Sequence, residues 1–285
     1  MMYKNLFSHW KSKSHKDEFD ALNKFSGLYF NKLLQSFPEY QYLTKATKTL
    51  DHASILDIGC ATGYTYRFLS YNCDSFSYDG ADISNTAIRR AKSLYPKAKF
   101  IYLSDPQMSL KKKLKKKYDI VFSRDTIVHQ TAPYVFLKNL MNVTKRILIL
   151  KPNMTRDKGK TVLNPNISCQ KTSFGYGDSW VPIIVLNFDE LINFIKKDER
   201  VTKITANRSY EILGGHNYRF LPKELYLQKT GTAMTSLMIE FGEDKRKYFK
   251  FIKSYKLQGE PCFRKKKLYF LFLKIYNKLI LSIFK

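Results

Sequence analysis

From residue 53 onward the chain alternates between short apolar runs and longer, more polar stretches. SILDI (Ser54 to Ile58), SFSYDGADI (Ser75 to Ile83), AKFIYL (Ala98 to Leu103), YDIVFS (Tyr118 to Ser123) and RILILK (Arg146 to Lys151) are the apolar runs. Runs of this length predict buried strands. Between them, YTYRFLSYN, SNTAIRRAKSLY and APYVFLKNLMNVTK predict helices. Ser84 stands at the N-cap of the second, which ends at Pro96, and Pro133 falls in the first turn of the third. Strand followed by helix, repeated five times, predicts a parallel sheet with helices on both faces. Further on, residues 188–197 predict a helix, and residues 201–213 and 232–241 two more strands. The chain divides into an N-terminal helical extension (1–52), a core domain (53–245) and a tail (246–285). In the extension, residues 23–37 predict a helix that stops before Pro38. Inside the core, residues 152–182 form an irregular insertion rich in Gly, Pro, Asn and Ser. Long irregular stretches in compact domains usually serve function, so this one is assigned to the substrate side.

Composition narrows the setting. A chain of 285 residues holds one large domain or one domain with an appendage, and 44% apolar content with 21 Phe and 20 Tyr supplies a sizeable core. Against 24 Asp and Glu stand 50 Lys and Arg, a net charge of +26. That excess suits nucleic acid, an anionic lipid surface or a phosphorylated substrate, or else only a solvated, lysine-rich exterior. Cys60, Cys73, Cys169 and Cys262 are far apart, which points to neither a zinc site nor a disulfide framework. No Asp/His cluster has metal-ligand spacing. The first 19 residues have no apolar core of signal-peptide length, and the expected location is the cytoplasm.

The chemistry gathers at strand exits. In an open parallel sheet, ligands bind beyond the carboxyl ends of the strands, where strand order reverses. The first exit reads Asp57-Ile58-Gly59-Cys60-Ala61-Thr62-Gly63. Its glycines permit a tight turn and close approach of a ligand. A dinucleotide site would need G-x-G-x-x-G, whereas this turn offers G-x-x-x-G behind a carboxylate that would repel a pyrophosphate. A cofactor with cationic groups fits better, such as the sulfonium and amino group of S-adenosylmethionine. Asp82, 25 residues after Asp57, ends the second strand and can accept both ribose hydroxyls. Asp105 follows the third, where a carboxylate can meet an adenine amino group. Each acid alone has an ordinary reading as a cap or turn residue; all three in order form a constellation.

These residues carry a resemblance. ILDIGCATG is similar to motif I of the class I S-adenosylmethionine-dependent methyltransferases, GADIS to their ribose-binding segment, and YLSDPQ to their adenine-binding segment. YDIVFSRDTIVHQ resembles the strand and loop beneath the transferred methyl group. The resemblance spans roughly residues 50–155, more loosely to 242. It implies an α/β, Rossmann-like, seven-stranded, mostly parallel sheet whose last two strands are antiparallel, with helices on both faces. It also implies S-adenosylmethionine as cofactor, held by Asp57, Gly59, Cys60, Ala61, Gly63, Asp82, Ile83, Asp105 and Ser123. Ala61 stands where the family most often has glycine, which is tolerable if the backbone there avoids positive φ.

The acceptor is approached by elimination. Base-amino enzymes carry D/N/S-P-P-Y/F/W after the fourth strand, where this chain has Ser123-Arg124-Asp125-Thr126. Cytosine-C5 enzymes need a cysteine there and arginine-modifying enzymes paired glutamates; neither is present. O-methylation of a small molecule, lipid or glycan remains, and a hydroxyl acceptor needs a base. His129 is the candidate base, Asp125 its substitute or orienting partner, and Arg124 a holder of anionic groups. The alternative for His129 is a satisfied histidine at a helix start. Gly175, Tyr176, Asp178 and Trp180 are candidates for the acceptor pocket or for loop anchors.

The tail adds a second signal. In residues 264–285, Lys267, Lys274, Lys278 and Lys285 fall on one helical stripe at about 100° per residue. The apolar Phe270, Leu273, Leu279, Ile280 and Phe284 occupy other faces. This is the pattern of a helix lying on an anionic membrane, or of one docked on protein. The lysine run at 111–117 is a solvated helix face or an extension of that surface. The leading expectation is a peripheral, cytoplasmic O-methyltransferase acting on a sugar hydroxyl of a lipid- or phosphate-linked glycan. Its rivals are an RNA methyltransferase, disfavoured by the lack of an aromatic-basic recognition module, and a cofactor-binding protein without catalysis. The sequence leaves the oligomeric state open.

Overall fold

The computed structural model describes residues 9–11, 13–104, 116–155, 160–165, 168–171, 180–210, 219–220, 232–243 and 248–254. Three helices open the chain: α1 (Lys13–Asn23), α2 (Gly27–Gln35) and α3 (Pro38–Thr49). The core then runs β1 (Ala53–Ile58), α4 (Tyr64–Asn72), β2 (Phe76–Asp82), α5 (Asn85–Leu94), β3 (Lys99–Tyr102), β4 (Tyr118–Ser123), α6 (Pro133–Val143) and β5 (Thr144–Leu150). Short strands β6 (Asn153–Thr155), β7 (Cys169–Lys171), β8 (Trp180–Pro182) and β9 (Val185–Asn187) lead to α7 (Phe188–Lys196). Strands β10 (Val201–Tyr210), β11 (Arg219–Phe220), β12 (Thr232–Phe241) and β13 (Tyr248–Ser254) follow.

The main sheet has the order β13-β10-β12-β5-β4-β1-β2-β3. Strands β3, β2, β1, β4 and β5 are mutually parallel, and β12 runs antiparallel to both β5 and β10. This is the expected seven-stranded, mostly parallel sheet with an antiparallel last pair. The strand β13 extends it, parallel to β10, and lies within the segment read as tail, so the sheet reaches past residue 245. Residues 255–285, with the whole basic stripe, lie outside the described residues, as do residues 111–115 of the lysine run. Among the described residues no helix is long and apolar enough to cross a membrane.

Strand periodicity sorts the core into two layers. Ile55, Ile120, Phe122, Ile147, Ile149 and Met238 face α2, α3 and α4, meeting Phe30, Leu34, Tyr40, Leu43 and Phe68. Their neighbours Leu56, Ile58, Val121, Leu148, Leu150, Leu237 and Ile239 face α6 and α7, meeting Phe136, Leu140, Leu191 and Ile195. Pro38 begins α3, filling the first helical turn where no backbone N–H is needed. The predicted helix over 23–37 instead starts after Ser26, whose side chain accepts a hydrogen bond from the Tyr29 N–H at 3.4 Å.

Candidate functional site

The turn after β1 is a left-handed one. Gly59, Ala61 and Gly63 have φ of 83°, 46° and 84°. The Gly59 and Cys60 N–H groups both donate to the Ala81 carbonyl at the end of β2, at 2.8 and 3.2 Å. A methyl group on Gly59 would run into the Thr126 hydroxyl, and one on Gly63 into Tyr95 and Phe100. Ala61 does not avoid positive φ, as the alanine-for-glycine departure would have required. An alanine in the left-handed region costs roughly 1–2 kcal/mol. Its N–H donates to Asp82 Oδ2 at 2.9 Å, and this bond holds the turn in place.

A cleft of about 730 Å³, measured out to its open mouth, lies against this turn. Asp82 lines it, with Oδ2 bonded to Ala61 and Oδ1 accepting the Ser84 N–H at 2.7 Å. Burial pushes the Asp82 carboxyl up to about 6, and the Ser84 and Ala61 N–H groups limit the rise. Ile58, Gly59, Ala61, Ala81, Ile83 and Leu103 line the same wall. Asp57 is not in it: its carboxylate turns behind the turn, where Oδ2 accepts the Tyr78 hydroxyl at 2.7 Å, and burial pushes it up to about 7. Cys60 and Gly63 also stand behind the cleft wall, as does Ser123, whose hydroxyl donates to the Ile58 carbonyl at 3.1 Å. Asp105, Gly175, Tyr176 and Asp178 lie outside the described residues, and Trp180 is described only by its backbone in β8.

The exit of β4 forms the opposite rim. Arg124, Asp125, Thr126, His129 and Gln130 line the cleft there. Arg124 Nε donates to Glu39 Oε1 at 2.8 Å, and its guanidinium lies over Phe37 at 4.7 Å. Glu39, buried in α3, also accepts the Ser236 hydroxyl from β12 at 2.7 Å. Asp125 has φ of 55° and two cations beside it. Lys151 Nζ is 3.2 and 3.3 Å from its two oxygens, and Arg124 Nη1 is 3.5 Å from Oδ2. Burial pushes the Asp125 carboxyl up, but Lys151 and Arg124 outweigh it and hold it below the usual carboxylate range. Arg124 is therefore a tethered member of a four-charge cluster rather than an open anion holder.

His129 ends a one-turn 3₁₀ helix (Ile127–His129). Its Nδ1 is 2.7 Å from the Pro182 carbonyl, which can only accept. Nδ1 thus carries the proton, and the neutral ring has its lone pair on Nε2. Trp10 packs on this ring with centroids 4.5 Å apart, and Phe19 stacks on Tyr64 at 5.9 Å. Both come from the N-terminal extension and line the cleft. Glu39, Lys151, Trp10, Phe19, Tyr64 and Gln130 were not among the residues predicted for the site. For Lys151 the signal was present, since it follows the fifth strand as Asp82 ends the second.

Comparison with known proteins agrees with this geometry. The sequence model of a family described as "Methyltransferase domain" matches residues 55–146. No curated protein matches the sequence. Among solved structures, the plantazolicin methyltransferase BamL, in complex with a triazolic desmethylPZN analog and SAH, has a TM-score of 0.50 at 18% identity, covering 84% of this chain and 94% of that one. The N-terminal domain of EvdMO1 with SAH bound has a TM-score of 0.51 at 14% identity, covering 74% and 84%. Magnesium protoporphyrin IX methyltransferase from Synechocystis PCC 6803 is more distant, with a TM-score of 0.43 at 13% identity over 74% and 80%. Residues 55–146 carry the sequence of a methyltransferase domain, and the fold built on them is shared with structures crystallised with SAH.

Proposed function

We propose that the cleft binds S-adenosylmethionine across the exits of β1, β2 and β3, and that its methyl group passes to a hydroxyl of a small-molecule acceptor. The residues present fit this donor. The Asp82 carboxylate takes backbone N–H groups at both oxygens and keeps lone-pair capacity for a further donor from the cleft, which suits a ribose hydroxyl. Gly59 exposes bare backbone, and Ala81, Ile83 and Leu103 supply apolar surface for a base. The bound donor supplies an electrophilic methyl group on a good leaving group. The chain's own tasks are then to align the acceptor and to accept its proton. His129 is suited to the second, because the Pro182 carbonyl fixes the tautomer that leaves Nε2 basic. Arg124 keeps the β4 exit in position through Glu39.

The observation that carries this reading is a buried, doubly anchored carboxylate at the end of β2, in the cleft wall. Calorimetry with S-adenosylhomocysteine should show affinity lowered tenfold or more in Asp82→Asn, on the order of one lost charged hydrogen bond. Unchanged affinity would remove Asp82 from the donor site. His129→Gln should lower kcat by about 10²–10⁴-fold with donor affinity intact.

For the acceptor, the class we favour is a sugar hydroxyl of a lipid- or phosphate-linked glycan at the inner face of a membrane. The support is the net charge of +26 and the basic stripe of residues 264–285. Incubating lipid and RNA extracts with methyl-labelled donor tests it: label in the lipid fraction supports this class, and label in RNA replaces it. Flotation with liposomes containing anionic lipid should fail when residues 264–285 are deleted; equal flotation removes the membrane role.

A further inference from the structure

We propose that Asp125 is the counter-charge for the ammonium group of the donor's amino-acid end, and that Lys151 is the positioning residue that aims it. This rests on the reading of the cleft as a donor site. Strand order β2-β1-β4 places Asp82 and Asp125 on either side of the β1 turn. A donor with its ribose on Asp82 and its chain across Gly59 reaches the β4 exit with its amino-acid end. The two exits are stitched together there, since the Thr126 hydroxyl donates to the Ile58 carbonyl at 3.1 Å.

Asp125 is built to present charge. Its backbone lies in the left-handed region at φ 55°, uncommon outside glycine though more accessible to Asp than to most residues. Lys151 holds the carboxylate from behind: it reaches both oxygens, yet it is buried and does not itself line the cleft. Glu39 Oε1, 3.9 Å from Lys151 Nζ, balances that lysine from the far side. The Asp125 side chain remains 41% exposed toward the cleft. A carboxylate held ionised by two cations is a weak proton acceptor, so its use at this rim is electrostatic rather than as the base.

Three probes separate the parts of the donor. S-adenosylhomocysteine has ammonium and carboxylate, its decarboxylated amine keeps only the ammonium, and 5′-methylthioadenosine lacks both. Titrated calorimetrically into the full chain, Asp125→Asn should bind the first two about tenfold or more weakly, with the third unchanged within about twofold. Lys151→Met should give the same pattern, and Lys151→Arg should restore the wild-type ratio between probes. Equal weakening of all three probes, or of none, overturns the proposal, as does weakening confined to S-adenosylhomocysteine, which would assign the effect to the carboxylate. Asp82→Asn should weaken all three. Wild-type protein that binds none of them would overturn the donor reading itself.

Discussion

The two rims of the cleft hold their carboxylates by different means. On the β1–β2 side, Asp82 in the cleft wall is partnered by backbone N–H groups and Asp57 behind it by a tyrosine hydroxyl, and burial pushes them up to about 6 and about 7. On the β4–β5 side, Asp125 is also partly withdrawn from water, yet Lys151 and Arg124 hold it below the usual range. One residue type is thus brought to the edge of neutrality at one rim and locked into its charged form at the other. Neutral donors make the first rim a receiver of hydroxyls. Paired cations keep Asp125 ionised at the second, the state that its proposed pairing with an ammonium group requires.

The comparison breaks most visibly if a member of the second rim is removed. Glu39→Ala leaves Arg124 and Lys151 short of a carboxylate where both side chains are largely buried. Breaking a buried ion pair from one side typically costs about 3–5 kcal/mol. Urea unfolding monitored by far-UV circular dichroism should report a loss of that size, with Glu39→Gln losing less. A loss under about 1 kcal/mol would show that water reaches these cations and that the cluster is not buried in solution.

Behind the first rim, at Asp57, the sign should reverse. The folded-state pKa of Asp57 is raised, so the protonated acid favours folding; that contribution is complete below about 4 and is lost as pH rises to about 7. Asp57→Asn removes the ionisation while keeping an acceptor for the Tyr78 hydroxyl. It should stabilise the protein on the order of 2–4 kcal/mol at pH 8, and less at pH 5. A variant equally stable relative to wild type at both pH values would mean that Asp57 is not strained by burial.

What the sequence made legible follows the same division. The β1–β2 rim is local: Asp82 bonds to Ala61 and Ser84, 21 and 2 residues away. Strand exits named these residues directly, and the five parallel strands, α5 with its Ser84 cap and α6 with Pro133 in its first turn were found as predicted. The second rim is assembled over long separations. Glu39 meets Arg124 across 85 residues and Ser236 across 197, and no period or motif announces such a meeting. Glu39 follows Pro38, and a proline reads as the end of one helix as readily as the start of the next; Pro38 opens α3 as Pro133 opens α6. The helix α1 was missed because KSHKDEFDALN is nearly all polar, and its contribution at the cleft rests on Phe19. For Asp57 the position in the motif is visible in the sequence, while the direction of its side chain, away from the cleft and onto Tyr78, is not.

The smallest expected effect tests how the first rim is held together. Ala61→Gly relieves a left-handed alanine worth roughly 1–2 kcal/mol. Against this, glycine frees the unfolded chain by about 0.4–1 kcal/mol, and a buried methyl group worth about 0.8 kcal/mol is lost. The three nearly cancel, so stability should stay within about 1 kcal/mol of wild type, a shift of no more than a few degrees in Tm. Ala61→Val, with a β-branched side chain at the same φ, should lose more than about 2 kcal/mol. If the glycine variant lost as much as the valine variant, the turn would depend on the alanine methyl and not on its backbone. The Ala61 N–H to Asp82 bond would then be a consequence of the turn's shape, and the first rim would be held by side-chain packing as the second is held by side-chain charge.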